Sequence, residues 1–215
     1  MKNVFLLFVL LTVSGNASAQ QYQNRKMVSW ISAIGNVQVH HIATEIEGSK
    51  KLETVYSKAR GVTILSAINN VNNRALRKLK TEASMLGADA ILITNNYQKG
   101  VQFLSPVQVS YTAVAYISNP LALDEVKEAI AGKEYVHIQT IRYSRNAFGH
   151  KLKIENNFTV PIDSDKLFEE NGKIMINLDR KYQVVDISAD HLVLSYYSVA
   201  GKVLKNKILL AVREK

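Results

Sequence analysis

The stretch Arg74 to Asn96, RALRKLKTEASMLGADAILITNN, decides how the fold is read. Leu76, Leu79, Ala83 and Leu86 recur at three- and four-residue intervals, the spacing that gathers side chains on one face of an α-helix. Asn72 or Asn73 stands where a side-chain oxygen caps the first free amides of such a helix. Gly87 closes it, because glycine adopts the left-handed conformation common at helix C-termini. Ala88 to Thr94, ADAILIT, is then an apolar run of strand length, expected to be covered by the helix before it. Arg74, Arg77, Lys78 and Lys80 flank or oppose the leucine face and read as its solvated surface. Concentrated toward the helix N-terminal half, these cations oppose the macrodipole at roughly a few tenths of a kcal/mol each.

Strands are expected on both sides of this helix. Met27 to Ile42, MVSWISAIGNVQVHHI, holds two short alternating runs around Gly35-Asn36, which fits a hairpin or a bulged strand. Glu45 to Lys51 is charged and contains Gly48, a loop, and Leu52 to Ala67 follows as a strand that Arg60-Gly61 could interrupt. Val107 to Ser118 alternates, with Val107, Val109, Tyr111, Ala113 and Ala115 on one face. Residues 27–119 are thus expected to form an α+β domain with the helix lying on a sheet. Asn119-Pro120 punctuates the chain, and residues 120–133 form a linker helix with Leu123, Val126 and Ile130 on one side and Gly132 as its stop.

Beyond it the pattern changes. Tyr135 to Tyr143, Lys151 to Val160, Lys173 to Leu178, Tyr182 to Ile187, Leu192 to Tyr197 and Val203 to Val212 all read as strands. Turn residues at Asn146 to Gly149, Asn171-Gly172, Ala189-Asp190 and Ala200-Gly201 separate most of them. Residues 134–215 are expected to form a small antiparallel β barrel or sandwich.

The beginning of the chain reads as an export signal over residues 1–19. Lys2 is basic, Val4 to Val13 is apolar, and Ala17-Ser18-Ala19 offers small residues for cleavage after Ala19. The ten-residue apolar run is shorter than the roughly 18 residues needed to span a bilayer, so no transmembrane segment is expected. Gln20 to Lys26 is polar and reads as a flexible mature N-terminus. The expected location is the periplasm or the exterior. With 215 residues and no cysteine, the chain must be held together by burial, without disulfides or lipid attachment through a thiol. A formal net charge of +9 would make nucleic acid a natural partner in the cytoplasm. Export turns the expectation toward an envelope protein or an anionic envelope polymer.

The segment LRKLKTEASMLGADAILI resembles part of a bacterial family that includes the envelope stress sensor RcsF and YbjQ-like domains described as heavy-metal-binding. The matching positions are Leu76, Ala83, Leu86, Gly87, Ala88, Asp89, Ala90 and Ile91, with a later strand at Tyr111 to Tyr116. The resemblance covers about a third of the chain and does not reach its C-terminal half. It implies an α+β envelope domain that works by binding. RcsF-like sensors are lipid-anchored through cysteine and disulfide-bonded, whereas this chain contains no cysteine.

Motifs for catalysis are sparse. There is no Gly-x-Ser-x-Gly elbow, no GxxxxGK[ST] loop and no GxGxxG loop. His40 and His41 are neighbours on a strand and point to opposite faces, and with His137, His150 and His191 they match no ordinary metal spacing. Asp163 to Gly172 is acidic, but its glycine and glutamate positions do not fit an EF-hand, and it reads as a solvated loop. No metal or cofactor is expected. The best local candidate for partner binding is the hairpin IRYSRNAFGHKLK, with Arg142, Tyr143, Arg145, Phe148, His150, Lys151 and Lys153, because arginine and aromatic side chains are enriched at binding hot spots. The expected function is a non-catalytic binding or interaction module of the envelope. A hydrolase or other enzyme acting on cell-wall or exported glycan, and a structural subunit of an envelope assembly, are the alternatives.

Overall fold

Helical and strand periodicities coexist in the structure, a computed structural model that describes residues 36–63, 66–100, 106–143, 151–154, 158–199 and 203–212. The expected signal segment and mature N-terminus lie outside these residues. The helix around Arg74 is longer than its leucine spacing implies: α1 spans Ile68–Ser84. Val71 and Ala75 extend the buried stripe upstream of Leu79 and Ala83, while Leu76 is partly buried. The helix therefore starts ahead of Asn72. Ala67 occupies the capping position without a side-chain hydrogen bond. Ile68, Asn69 and Asn70 of the first turn are exposed, and the Asn70 and Val71 amides donate to Ala67 O. Asn72 Oδ1 instead accepts a hydrogen bond from Tyr111 Oη.

The first sheet contains β1 (Gln38–His40), β2 (Lys50–Arg60), β3 (Ala90–Lys99) and β4 (Gln108–Ile117). Its order is β1-β3-β4-β2, with β1 parallel to β3 and the other pairs antiparallel. Val109, Tyr111, Ala113 and Ala115 form the buried face of β4, as its alternation predicts, and share one core with Val55, Ile91 and the buried positions of α1.

Two of the basic residues on α1 do more than meet solvent. Gly61 N donates to Val107 O at 2.7 Å, so Gly61 faces β4 and the carbonyls of Arg60 and Lys58 point to the free edge of β2. Arg74 Nη2 donates to Arg60 O at 2.6 Å, and Lys78 Nζ to Lys58 O at 3.4 Å. These contacts replace the purely solvated role read from the sequence. Burial and then the Arg74 charge lower the Lys78 pKa.

After α2 (Leu123–Ile130) come β5 (Tyr135–Tyr143), β6 (Lys151–Ile154), β7 (Thr159–Val160), β8 (Leu167–Glu170), β9 (Lys173–Asn177), β10 (Lys181–Ile187), β11 (His191–Val199) and β12 (Val203–Val212). They make a curled antiparallel half-barrel in the order β6-β5-β12-β11-β10-β9-β8, with β7 also on β5. Part of the acidic segment read as a loop is thus strand β8. Asn171 and Gly172, at φ 52° and 69°, turn it into β9. Positive φ at both central residues is the geometry of a tight two-residue hairpin.

Two bulges shape this half. On β5, His137 pairs with Leu210 and Gln139 with Leu209, leaving Ile138 as an extra residue. On β10 the register shifts between Val184 and Asp186, with Val185 as the extra residue. A bulge bends its strand and changes which side chains share a face. Tyr182, Val184, Leu192, Leu194 and Leu210 join Val126 and Ile130 of α2 in a second core. On the opposite face, Val185 lies where a Cβ on Gly87 would meet its side chain and carbonyl, both at 3.0 Å. Val37 to Lys215 form one compact unit in which the two cores also meet through polar bridges. Lys50 Nζ donates to Gly172 O at 2.8 Å, Lys173 pairs with Glu53, and Tyr143 Oη donates to Lys78 O at 3.2 Å.

Candidate functional site

The concave face of the half-barrel is only partly filled by α2. What remains is a cavity of about 460 Å³ whose lining includes Val160, Leu178, Leu194, Ile208 and Leu210. That size lies within the roughly 300–1,000 Å³ common for small-molecule sites. Strand alternation puts Leu194 and Tyr196 of β11 on this face, with Leu194 opposite Ile208 of β12.

The floor is polar because of the β5 bulge. Regular alternation would send His137 and Thr140 to opposite faces. With Ile138 extra, they pair with Leu210 and Ile208 and come to the same one. Both are almost fully buried, and His137 Nε2 lies 2.9 Å from Thr140 Oγ1. The His137 ring also packs against Phe158, with centroids 4.8 Å apart.

The charged groups of the lining are exposed. Asp179, at the β9–β10 turn, accepts from Tyr182 Oη at 2.6 Å and from Arg180 Nε at 3.0 Å. The Tyr182 bond, reinforced by Arg180, lowers the Asp179 pKa. Burial, followed by the bond to Asp179, pushes the Tyr182 pKa up. The Arg180 guanidinium lies 4.8 Å from the centre of the Tyr196 ring, and Tyr196 meets Tyr182 edge-on at 5.1 Å. Such cation–π and edge-to-face contacts fix the direction of otherwise mobile side chains. Lys166, from the 3-10 turn Ser164–Lys166, completes the charged lining and is exposed.

Four of the seven residues proposed from the 142–153 hairpin fall in described backbone. Arg142 and Tyr143 end β5, and Lys151 and Lys153 lie on β6, opposite Arg142 and Thr140. Tyr143 is buried and bonded to α1, which removes it from an exposed binding surface. Arg145, Phe148 and His150 lie outside the described residues.

A second polar cluster sits at the β10–β11 turn. His191 Nδ1 lies 2.6 Å from Ser188 Oγ and 2.8 Å from Asp190 Oδ1, while Nε2 faces Asp186 Oδ2 at 3.3 Å. Ser188 Oγ also donates to Asp190 Oδ1 at 2.7 Å. The bond to Asp186, with that to Asp190, raises the His191 pKa above its ordinary value of 6.5. None of these residues lines the cavity, and the Ser188 hydroxyl is turned into its own hairpin. The cluster ties a turn together.

Among the described residues, no three His, Cys, Asp or Glu side chains converge as a metal site, and no helix is long and apolar enough to cross a membrane. No protein-family model, curated protein or solved structure matches the chain. The cavity and its charged mouth were not apparent in the sequence. Their parts are dispersed from residue 137 to residue 210 and meet only through sheet pairing and a bulge.

Proposed function

We propose that this chain is an exported, non-catalytic binding module of the envelope, and that its ligand enters the hollow of the C-terminal half-barrel. The supporting observation is the cavity itself: about 460 Å³ bounded largely by apolar side chains, with buried His137 and Thr140 and exposed Lys166, Asp179 and Arg180 among its polar groups. Removing apolar ligand surface from water stabilises the bound state by roughly 25 cal/mol per Å² buried. Few oriented polar groups then suffice for selectivity. The export part rests on the signal-like pattern of residues 1–19 and on the resemblance around Leu76 to Ile91. In this reading residues 27–119 are the helix-on-sheet support and residues 134–215 carry the ligand.

The test is titration of the purified protein with the neutral apolar dye Nile red. Leu194→Trp places a larger side chain in the cavity wall. Saturable binding should weaken at least about tenfold in this variant, with Tm retained within a few degrees. Equal binding by parent and a folded variant would place the dye elsewhere and remove the cavity reading.

A further inference from the structure

We infer that the cavity takes a small amphipath, an apolar body carrying one anionic group, with that group held at the mouth by Lys166 and Arg180. This deepens the cavity reading and rests on it. The decisive feature is which polar groups of the lining are already engaged. At the floor, His137 and Thr140 bond to each other, and their depth makes burial of a charged group there costly. At the mouth, Asp179 is engaged through Oδ1 by Tyr182 and through Oδ2 by Arg180.

The two cations are differently placed. Arg180 uses Nε on Asp179 and its face on Tyr196, a posture that orients the remaining guanidinium donors. Lys166 lines the cavity, yet its ammonium makes no hydrogen bond or ion pair among the described residues. With two cations and one carboxylate, the lining carries one net positive charge when His137 is neutral. A carboxylate or other single anion at the mouth would balance that charge while remaining partly hydrated. Its apolar body would occupy the space beside Leu178, Leu194, Ile208 and Leu210. The opposite orientation would bury an anion beside the nearly inaccessible His137 and Thr140 and leave an apolar tail in water.

Isothermal titration with decanoate, decanol and decylamine separates the contributions, because these probes share an alkyl chain and differ in end group. Decanoate should bind about tenfold more tightly than decanol, and decylamine more weakly than either. Lys166→Met with Arg180→Met should equalise decanoate and decanol, while Leu194→Trp should weaken both. Equal parent affinities for decanoate and decanol, each lost in Leu194→Trp, would overturn the anion inference and leave the cavity reading standing. Persistence of the decanoate preference in the doubly substituted protein would likewise overturn it. No binding of any probe would remove both readings.

Discussion

Gly87 joins two roles in one residue. Its φ of +81° suits the turn after α1, and the space where a Cβ would stand is occupied at 3.0 Å by the side chain and carbonyl of Val185. Left-handed backbone costs other residues roughly 1–2 kcal/mol, before the displacement of Val185 is counted. Gly87→Ala should therefore lower stability by about 2–3 kcal/mol in chemical denaturation. A loss below about 0.5 kcal/mol would show that both restraints relax freely. The turn role was legible because Gly87 follows an apolar helical stripe. The Val185 contact was not, since nothing local links positions 87 and 185. His191 carries the second residue-scale prediction. Its pKa is raised first by Asp186 and then by Asp190, with Lys133 Nζ nearby on Ala189 O. A raised folded value means that the charged histidine stabilises fully below about pH 6.5 and that this contribution is lost as pH rises through the elevated value. Urea midpoints should fall over that interval in the parent and change less in His191→Gln. Parallel pH profiles would remove the assignment.

At the scale of elements, periodicity identified most strands but could not identify bulges. β5, β9 and β12 stand close to their expected bounds because alternating apolar residues and turn residues agree there. Phe168, Glu169 and Glu170 lack that alternation and read as loop, although pairing with β9 makes them a strand. The extra residue Ile138 has no sequence signature. For that reason the polar floor of the cavity was invisible while its aliphatic walls were already recognisable as strand residues. The edge of β2 poses a related problem, because helix cations cover carbonyls that only the fold brings near. Unpaired strand edges favour association with other strands. Arg74→Glu with Lys78→Glu removes both donors and places carboxylates beside those carbonyls. The pair should lose about 1–2 kcal/mol of stability, within the range of a few exposed hydrogen bonds, and show more self-association by light scattering. Unchanged stability and mass would assign both cations to solvent.

The molecule as a whole is organised by a sheet used on both faces. Its concave side receives α2 and leaves the cavity, while Val185 on the other side approaches the turn after α1. Gln183 Nε2 donates to Leu86 O at 3.4 Å beside this approach, and a void of about 40 Å³ lies among Leu52, Leu86, Ile117 and Val185. The bridges from Lys50 and Lys173 continue the same junction. The Lys50 bridge is exposed and the Lys173–Glu53 pair only partly buried, so each contributes about 0–1 kcal/mol and the buried apolar contact should dominate the coupling between the two cores. The protein is therefore expected to unfold in one calorimetric transition. Val185→Asp would place an unpaired carboxylate at the junction, costing about 3 kcal/mol or more, and should separate the transition into two while both secondary-structure signals persist below the first. Two transitions in the parent would show that the cores are thermodynamically independent despite their contact. One undisplaced transition in Val185→Asp would show that the junction accommodates charge and that coupling resides elsewhere.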